Sequence, residues 1–375
     1  MKLLIDTQIF DKQKLGGISK YYSEIFKLIQ TDCTVLQPNI YTKNIYLLKK
    51  SKYLYLVSFL CLDKCYSINK LIIYFNKKII FYLLKKSKFD IFIPTYYNTN
   101  FLNFIREKPF IVTIHDMNHE LFPKYFKNEL SIISKKKILI EKSNKIIAVS
   151  KNTKNDILAI YPHISTNKIE VIYHGHSIKS NFIKERPHYI SKKKYILFVG
   201  KRETYKNFEW FIKSTSFWIL ENDFNIICIG GNKFSPTEIN LLQDFKIQNS
   251  IFQYFVNENE LSSFYFNAFA FIFPSEYEGF GIPILESMAC ECPVILPKTS
   301  SFPEVAGDAG IYFDLNSCIS LISCLNLLLS DLNFRKIIVH KGKLQIKKFS
   351  WENSSKKTLK LCYEIINDKN KNCVS

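Results

Sequence analysis

The chain has 375 residues, 47% of them hydrophobic, with a formal net charge of +19. This is more than one hydrophobic core usually serves, so two domains are expected, and a disordered chain is excluded. Ten cysteines at 33, 61, 65, 228, 290, 292, 318, 324, 362 and 373 include no CxxC unit. That speaks against a cysteine zinc site and fits a reducing cytoplasm.

In chain order, "MKLLID" reads as a parallel strand that leads through Gly16 and Gly17 into a helix, "KLGGISKYYSEIFKLI". "FDIFIP" (89–94), "PFIVTIHD" (109–116) and "NKIIAVS" (144–150) are short apolar runs that end in small or polar residues, the pattern of buried parallel strands. "SKNTKNDILAIY" opens a helix on a serine cap. The polar, aperiodic stretch 176–194 is the expected linker. A second series follows: "YILFVG", "NIICIGG", "IFQYF", "AFIFPS" and "CPVILP", alternating with helices. The fold class expected is α/β, with two doubly wound Rossmann-like domains facing a central cleft. The boundaries expected are 1–185, 186–350, and a last helix and tail over 351–375.

Charge is uneven. Residues 1–180 hold 29 Lys and Arg against 13 Asp and Glu, or +16, and residues 181–375 hold 23 against 20, or +3. The segment 43–88 has eleven lysines and one acid, Asp63, interleaved with apolar and aromatic residues. Such a surface suits an anionic membrane, or is a pair of helices with solvated lysines. No run is long enough to span a bilayer, including "YLYLVSFLCL" at 53–62. Charge alone is a poor sign of nucleic-acid binding when no reader module accompanies it, so no nucleic-acid partner is expected.

The stretch "FPSEYEGFGIPILESMACECPVI" carries the chemistry. A strand ends at Ser275, and Pro283 suits the first turn of a helix. Gly279, Phe280 and Gly281 then lie at a helix N-terminus, where free N–H groups favour an anion. Glu278 stands at the mouth and Glu286 about one turn into the helix, where a carboxylate can accept two hydroxyl hydrogen bonds. Phosphate, sugar and ribose binding together describe a nucleotide-sugar.

This region resembles the E-x7-E segment of retaining GT-B glycosyltransferases of family 4. "GGISKYYSEIF", "VTIHDMNHELFPKYF", "VSKNTKNDIL", "VIYHGHS", "FVGKRETYKNFEWFIKS", "NENELSSFYFNAFAFIFPS", "SSFPEVAGDAGIYFD" and "FSWENSSKKTLKLCYEII" are similar to the family in the same order. The resemblance covers nearly the whole chain outside 31–88. It implies that the last helix crosses back to the first domain. It also implies that Arg202 and Lys206 hold the donor diphosphate, that Gly16 and Gly17 approach it, and that His115 lies near the transferred sugar. In the same reading Glu278 contacts sugar hydroxyls, Glu286 the ribose and Val256 the base, while Asp116 orients His115 or binds acceptor. Solvated side chains for Arg202 and Lys206, an ordinary tight turn at Gly16–Gly17 and a satisfied core histidine at 115 are the plainer readings.

His115 and His119 are four apart, a spacing that holds zinc on a helix, but His115 closes a strand, so no metal site is expected. The sequence has no Asp-x-Asp pair. A metal-independent enzyme with no cofactor is the expectation. Its substrate would be a nucleotide-diphosphate sugar, GDP-mannose first and UDP- or dTDP-sugars next, and its acceptor a glycan or lipid-linked glycan. The expected place is the cytoplasm, at the cytoplasmic face of a membrane. "ACECPVI", and the histidine of "YHGHS", depart from the family pattern without removing a catalytic group. A nucleotide-sugar 2-epimerase and a non-catalytic binder on a degenerate scaffold are the other readings of the same fold.

Overall fold

The structure is a computed structural model and describes residues 1–37, 42–48, 66–179, 181–202 and 204–372. The chain divides into two compact units: unit 1 is Met1–His174 with the segment from Trp351 onward, and unit 2 is Gly175–Ser350.

Unit 1 runs β1 (Lys2–Ile5), α1 (Gln8–Lys12), α2 (Gly17–Ile29), β2 (Thr34–Leu36), α3 (Ile45–Leu48), α4 (Tyr66–Lys86), β3 (Ile91–Ile93), β4 (Ile111–Ile114), α5 (Asn118–Leu121), α6 (Ser131–Lys142), β5 (Lys145–Ala148), α7 (Lys151–Ile160) and β6 (Ile169–Val171). All pairings are parallel, in the orders β2-β1-β3 and β4-β5-β6, and a single bridge, Phe92 to Phe110, links the two sheets. Because parallel sheets of this kind are covered on both faces, the strands are mostly apolar: Ile91–Ile93 and Ile111–Ile114, the latter with Thr113, are buried at every position. Ser150 caps α7, its side chain accepting the N–H of Thr153.

Unit 2 runs β7 (Tyr195–Val199), α8 (Phe208–Glu221), β8 (Asn225–Ile229), α9 (Pro236–Asp244), β9 (Ile251–Tyr254), α10 (Glu258–Asn267), β10 (Ala270–Ile272), α11 (Ile282–Ala289), β11 (Val294–Pro297), α12 (Phe302–Ala306), β12 (Gly310–Phe313), α13 (Cys318–Ser330) and α14 (Leu332–Gln345). Its six strands form one parallel sheet, β12-β11-β10-β7-β8-β9. The order reverses beside β7, so the loops after β7 and β10 open at the switch point where such sheets bind ligands.

The last helix, α15 (Trp351–Asn372), packs on α2 and belongs to unit 1. One boundary differs from the expected ones, and the other, between Ser350 and Trp351, falls where expected. The first unit ends at His174 rather than 185, because the stretch read as a linker is fastened to unit 2. Ser263 Oγ donates to the Glu185 carbonyl, Asn267 Nδ2 donates to the Lys184 carbonyl at 2.9 Å, and Ile190 is buried. The helix from Trp351 joins unit 1, as the resemblance implied, with its apolar stripe of Trp351, Leu361, Cys362 and Ile365 buried.

Within 43–88, residues 49–65 lie outside the described residues, so "YLYLVSFLCL" does too. Helix α4 buries Asn76, Ile80 and Leu84 at i, i+4 and i+8, and exposes Tyr74, Phe75 and Tyr82 beside its lysines. Among the described residues no single helix is long and apolar enough to cross a membrane, though the bent pair Cys318–Ser330 and Leu332–Lys369 passes by length and composition.

The Trp351 ring lies 5.7 Å from His174 and 6.2 Å from Tyr21, ring centre to ring centre. Replacing it with alanine is expected to cost roughly 3–5 kcal/mol. A urea titration should show an earlier transition for unit 1.

Candidate active site

In unit 2 the segment after β10 is built as a rigid hairpin of chain. Thr299 Oγ donates to the Glu276 carbonyl at 3.2 Å, and the Glu278 N–H donates to Ser300 Oγ at 3.2 Å. Ser301 Oγ donates to the carbonyls of Glu278 and Phe280 at 2.8 and 3.0 Å. Three successive hydroxyls from the segment after β11 thus hold the loop that carries the first glutamate.

Gly281 is the N-cap of α11 with φ 91° and ψ 58°, a left-handed conformation. A Cβ there would meet Ile284 Cδ1 at 2.9 Å, a side-chain end that can shift, so it is the backbone conformation that favours glycine. Glu286 lies within α11 and is buried.

Lys206 Nζ and Glu278 Oε1 form a close ion pair, with both side chains largely buried. These two predicted residues, 72 positions apart, are therefore brought together. Arg202 is placed differently. Its Nε donates to Glu238 Oε1 at 2.7 Å, and Nη1 and Nη2 donate to the carbonyls of Gly230 and Asn232. The guanidinium also lies 4.5 Å from the Phe234 ring centre. Burial raises the Glu238 carboxyl, but the Arg202 guanidinium and the Ser235 N–H and hydroxyl outweigh it and hold the group below its ordinary value. Arg202 fixes the segment after β8 to the segment after β7, and three of its N–H groups are committed to that task. Together with Lys201, Trp210 and Glu238 it lines a cavity of about 930 Å³ in unit 2. Val256 is half-buried in the turn between β9 and α10.

In unit 1, His115 directly follows β4 and is buried. Its ring meets Tyr21 and Tyr22 edge-on at 5.2 and 5.6 Å and lies 5.9 Å from His174. Its Nε2 has no hydrogen-bond partner. Burial pushes its pKa down to about 4, against a partial rise from Asp116. Burial, with His115 nearby, likewise holds His174 well below the usual range. The imidazole at 115 is thus neutral at physiological pH, with Nε2 unbonded among the described residues.

Asp116 Oδ1 accepts the Asn118 N–H at 3.1 Å. The loop it belongs to is tied down by Lys136, a fully buried lysine whose Nζ donates to the Asp116 carbonyl at 3.0 Å and to Glu120 Oε2 at 2.7 Å. His119 turns elsewhere, with Nε2 at 3.1 Å from Glu129 and its ring on Phe126. Gly16 caps α2 with extended backbone, and a Cβ at Gly17 would meet nothing within 4 Å. The backbone at 16–17 therefore does not by itself demand glycine.

Glu238, Lys136, His174 and Trp351 are site-shaping residues that the motifs did not single out. Glu238 had a signal in the S-x-x-E spacing of a capping box, which Ser235 and Glu238 form. Lys136 had none, being one of three successive lysines.

Residues 180–345 match the family described as Glycosyl transferases group 1, and residues 66–179 match Glycosyltransferase Family 4. The chain belongs to the family 4 glycosyltransferases. Its relatives include the O-antigen chain mannosyltransferase B of Escherichia coli, 26% identical over 70% of this chain and 72% of the relative. The O-antigen chain mannosyltransferase RfbU of Salmonella typhimurium is 30% identical over 54% of this chain and 55% of the relative. Among solved structures, the sucrose-phosphate synthase of Thermosynechococcus elongatus superposes with a TM-score of 0.73 at 14% identity, over 98% of this chain and 99% of that one. Anabaena Alr3699/HepE in complex with UDP and glucose gives 0.71 at 14% identity, over 96% and 98%. The fold of this glycosyltransferase is accordingly GT-B, with two Rossmann-like parallel-sheet units and a last helix that returns to the first.

A buried neutral histidine has a definite pH signature. The unfolded chain takes up a proton at residue 115 below about pH 6.5, and the folded chain does so only near pH 4. The stability this ring contributes is therefore full above pH 6.5 and is lost as pH falls toward 4. His115→Phe retains an aromatic ring among Tyr21, Tyr22 and His174. It is expected to flatten the pH dependence of stability, by roughly 3 kcal/mol accumulated between pH 6.5 and pH 4. Urea unfolding at several pH values measures this.

Proposed function

We propose that this glycosyltransferase moves a hexose, mannose first among them, from a nucleotide-diphosphate sugar to a glycan or lipid-linked acceptor, with retention at the anomeric carbon. The observation that carries the reading is the Lys206–Glu278 ion pair, beside the left-handed Gly281 turn that opens α11. As the bond from the anomeric carbon to the leaving phosphate oxygen breaks, negative charge builds on that phosphate. A fixed ammonium stabilises this charge more in the transition state than in the ground state. Binding of the diphosphate exchanges the carboxylate partner of Lys206 for phosphate and leaves Glu278 to accept hydroxyls of the sugar.

In this reading Gly279, Phe280 and Gly281 present backbone N–H groups to the diphosphate, and Glu286 takes the ribose. Val256 faces the base through its backbone, and Gly16 and Gly17 approach the phosphates. Arg202 adds positive charge to the same region while fastening two loops. His115 offers Nε2 to a hydroxyl of the transferred sugar, and Asp116 serves the acceptor. Side-chain cations fill the part a metal ion plays where Asp-x-Asp pairs hold one, and the reaction then needs no cofactor. The names of two O-antigen mannosyltransferases support mannose and surface-polysaccharide synthesis. The neighbour holding UDP and glucose keeps UDP-sugars open. The exposed rings and lysines of α4 support attachment to the cytoplasmic face of an anionic membrane.

A thermal-shift series with GDP, UDP, dTDP and ADP, each with and without Mg²⁺, tests the donor site. A nucleotide at about 100 times its Kd stabilises the chain by about 2.7 kcal/mol. One base is expected to raise the midpoint without Mg²⁺, and no shift with any of them would speak against the reading. Glu278→Gln is expected to retain that nucleotide while transfer falls at least a hundredfold, about 2.7 kcal/mol in the transition state. Wild-type turnover in this variant would remove Glu278 from the role, and the anomeric coupling in the NMR spectrum of the product reads retention directly.

A further inference from the structure

Unit 1 contains a second cavity, of about 230 Å³, that none of the roles above uses. Pockets for drug-sized ligands run to roughly 300–1,000 Å³, so this one has room for a single sugar ring. One wall is aromatic. Tyr96 and Tyr97 follow β3 with ring centres 4.8 Å apart, and Lys12 Nζ lies 4.0 Å over the Tyr96 ring. The rest of the lining is charged and amide: Lys12 and Asp11 on α1, Lys77 on α4, Lys135 on α6, and Gln8.

Two features set this cavity apart from a solvated surface dip. The first is charge imbalance. Three lysines from three helices face one small space, and among the described residues none of the three is in an ion pair. The carboxylate in the lining, Asp11, is bonded to Thr7 Oγ at 2.8 Å and Asn76 Nδ2 at 3.5 Å and acts on Lys77 only through space, as Glu129 outside the lining acts on Lys12. The lining therefore carries a formal surplus of two positive charges.

The second feature is rigidity. Gln8 Oε1 accepts the Asn98 N–H at 2.9 Å, and Asp6 Oδ1 accepts the Thr95 N–H at 2.9 Å. Tyr97 is buried, and its hydroxyl oxygen accepts the His115 N–H at 3.2 Å. The cavity wall is thus one hydrogen bond from the segment His115–Asp116.

We propose that this cavity takes a monosaccharide bearing a negative group, an acidic residue of the acceptor glycan. Tyr96 and Tyr97, tilted 36° to each other with Lys12 over the Tyr96 ring, give one wall an aromatic part for the C–H side of a pyranose, which a bare anion would leave unused. The Asp11 carboxylate, which can accept further hydrogen bonds, serves ring hydroxyls, and the three ammonium groups supply charge for a carboxylate or ester phosphate. A neutral sugar would leave that charge unanswered. The proposal rests on the reading that unit 1 serves the acceptor.

A ligand-observed NMR titration of the full chain with glucuronate, glucose and inorganic phosphate at low ionic strength tests it. Glucuronate is expected to bind at least tenfold more tightly than either of the others. Lys12→Gln with Lys135→Gln should bring it down to the level of glucose, and Tyr96→Ala should weaken both sugars. Lys77→Gln alters an exposed side chain that folding does not depend on, and should weaken glucuronate about threefold. Equal binding of glucose and glucuronate overturns the proposal, as does phosphate binding as tightly as the sugar acid, or glucuronate binding unchanged in Lys77→Gln. Nucleotide binding is read in the same samples and belongs to unit 2. Retained nucleotide binding without sugar-acid preference sinks this proposal alone, and sugar-acid binding without any nucleotide sinks the donor reading alone.

Discussion

A strand of a parallel sheet buried on both faces can be polar only where it ends. That constraint places nearly every residue discussed above. Asp6 follows β1, Tyr96 and Tyr97 follow β3, His115 follows β4, Arg202 and Lys206 follow β7, Val256 follows β9, and Glu278 follows β10. The strands themselves offer almost nothing but Ile, Leu, Val and Phe, so binding chemistry is forced to the carboxyl edge, where chain direction changes and backbone groups need partners. The sheets of the two units solve the same problem separately, which is why each unit has its own cluster of fixed polar loops.

Those loops are held by buried cations. Lys136 in unit 1 and Arg202 in unit 2 each bind a carboxylate and at least one backbone carbonyl. A desolvated charge is tolerated only when its hydrogen-bonding capacity is met, and meeting it fixes whatever supplies the partners. Lys136 thereby sets the path of the chain just after His115, and Arg202 that of the chain after β8. Lys136 acts on site geometry from outside the groups assigned to substrate, and Arg202 does so besides adding charge to the donor region.

Much of this was legible in the sequence because the relevant signals are local. Strand ends, the serine cap of α7, and the glycine–proline entry to α11 are read from neighbouring residues. What stayed hidden depends on contacts between distant positions. Tyr21, His115, His174 and Trp351 form one cluster only after α2, β4, β6 and α15 are in place. Strands β2, β6 and β12 are three or four residues long, too short for their periodicity to stand out. The stretch 176–194 looked like a linker because its ties to unit 2 run through backbone carbonyls, which side-chain identity does not reveal.

Unit 1 is discontinuous in the chain. Its β-strands are complete at Val171, yet α2 lacks its packing partner until α15 exists, and all of unit 2 intervenes. During synthesis, unit 2 can therefore fold as a self-contained insertion, whereas unit 1 waits with the side of Tyr21 that meets Trp351 uncovered until the last helix has been made. The order of biogenesis is then second unit before first, against the direction of translation. The exposed interval lasts for some 176 codons, the length of Gly175–Ser350, and over that span the nascent chain is most in need of a chaperone.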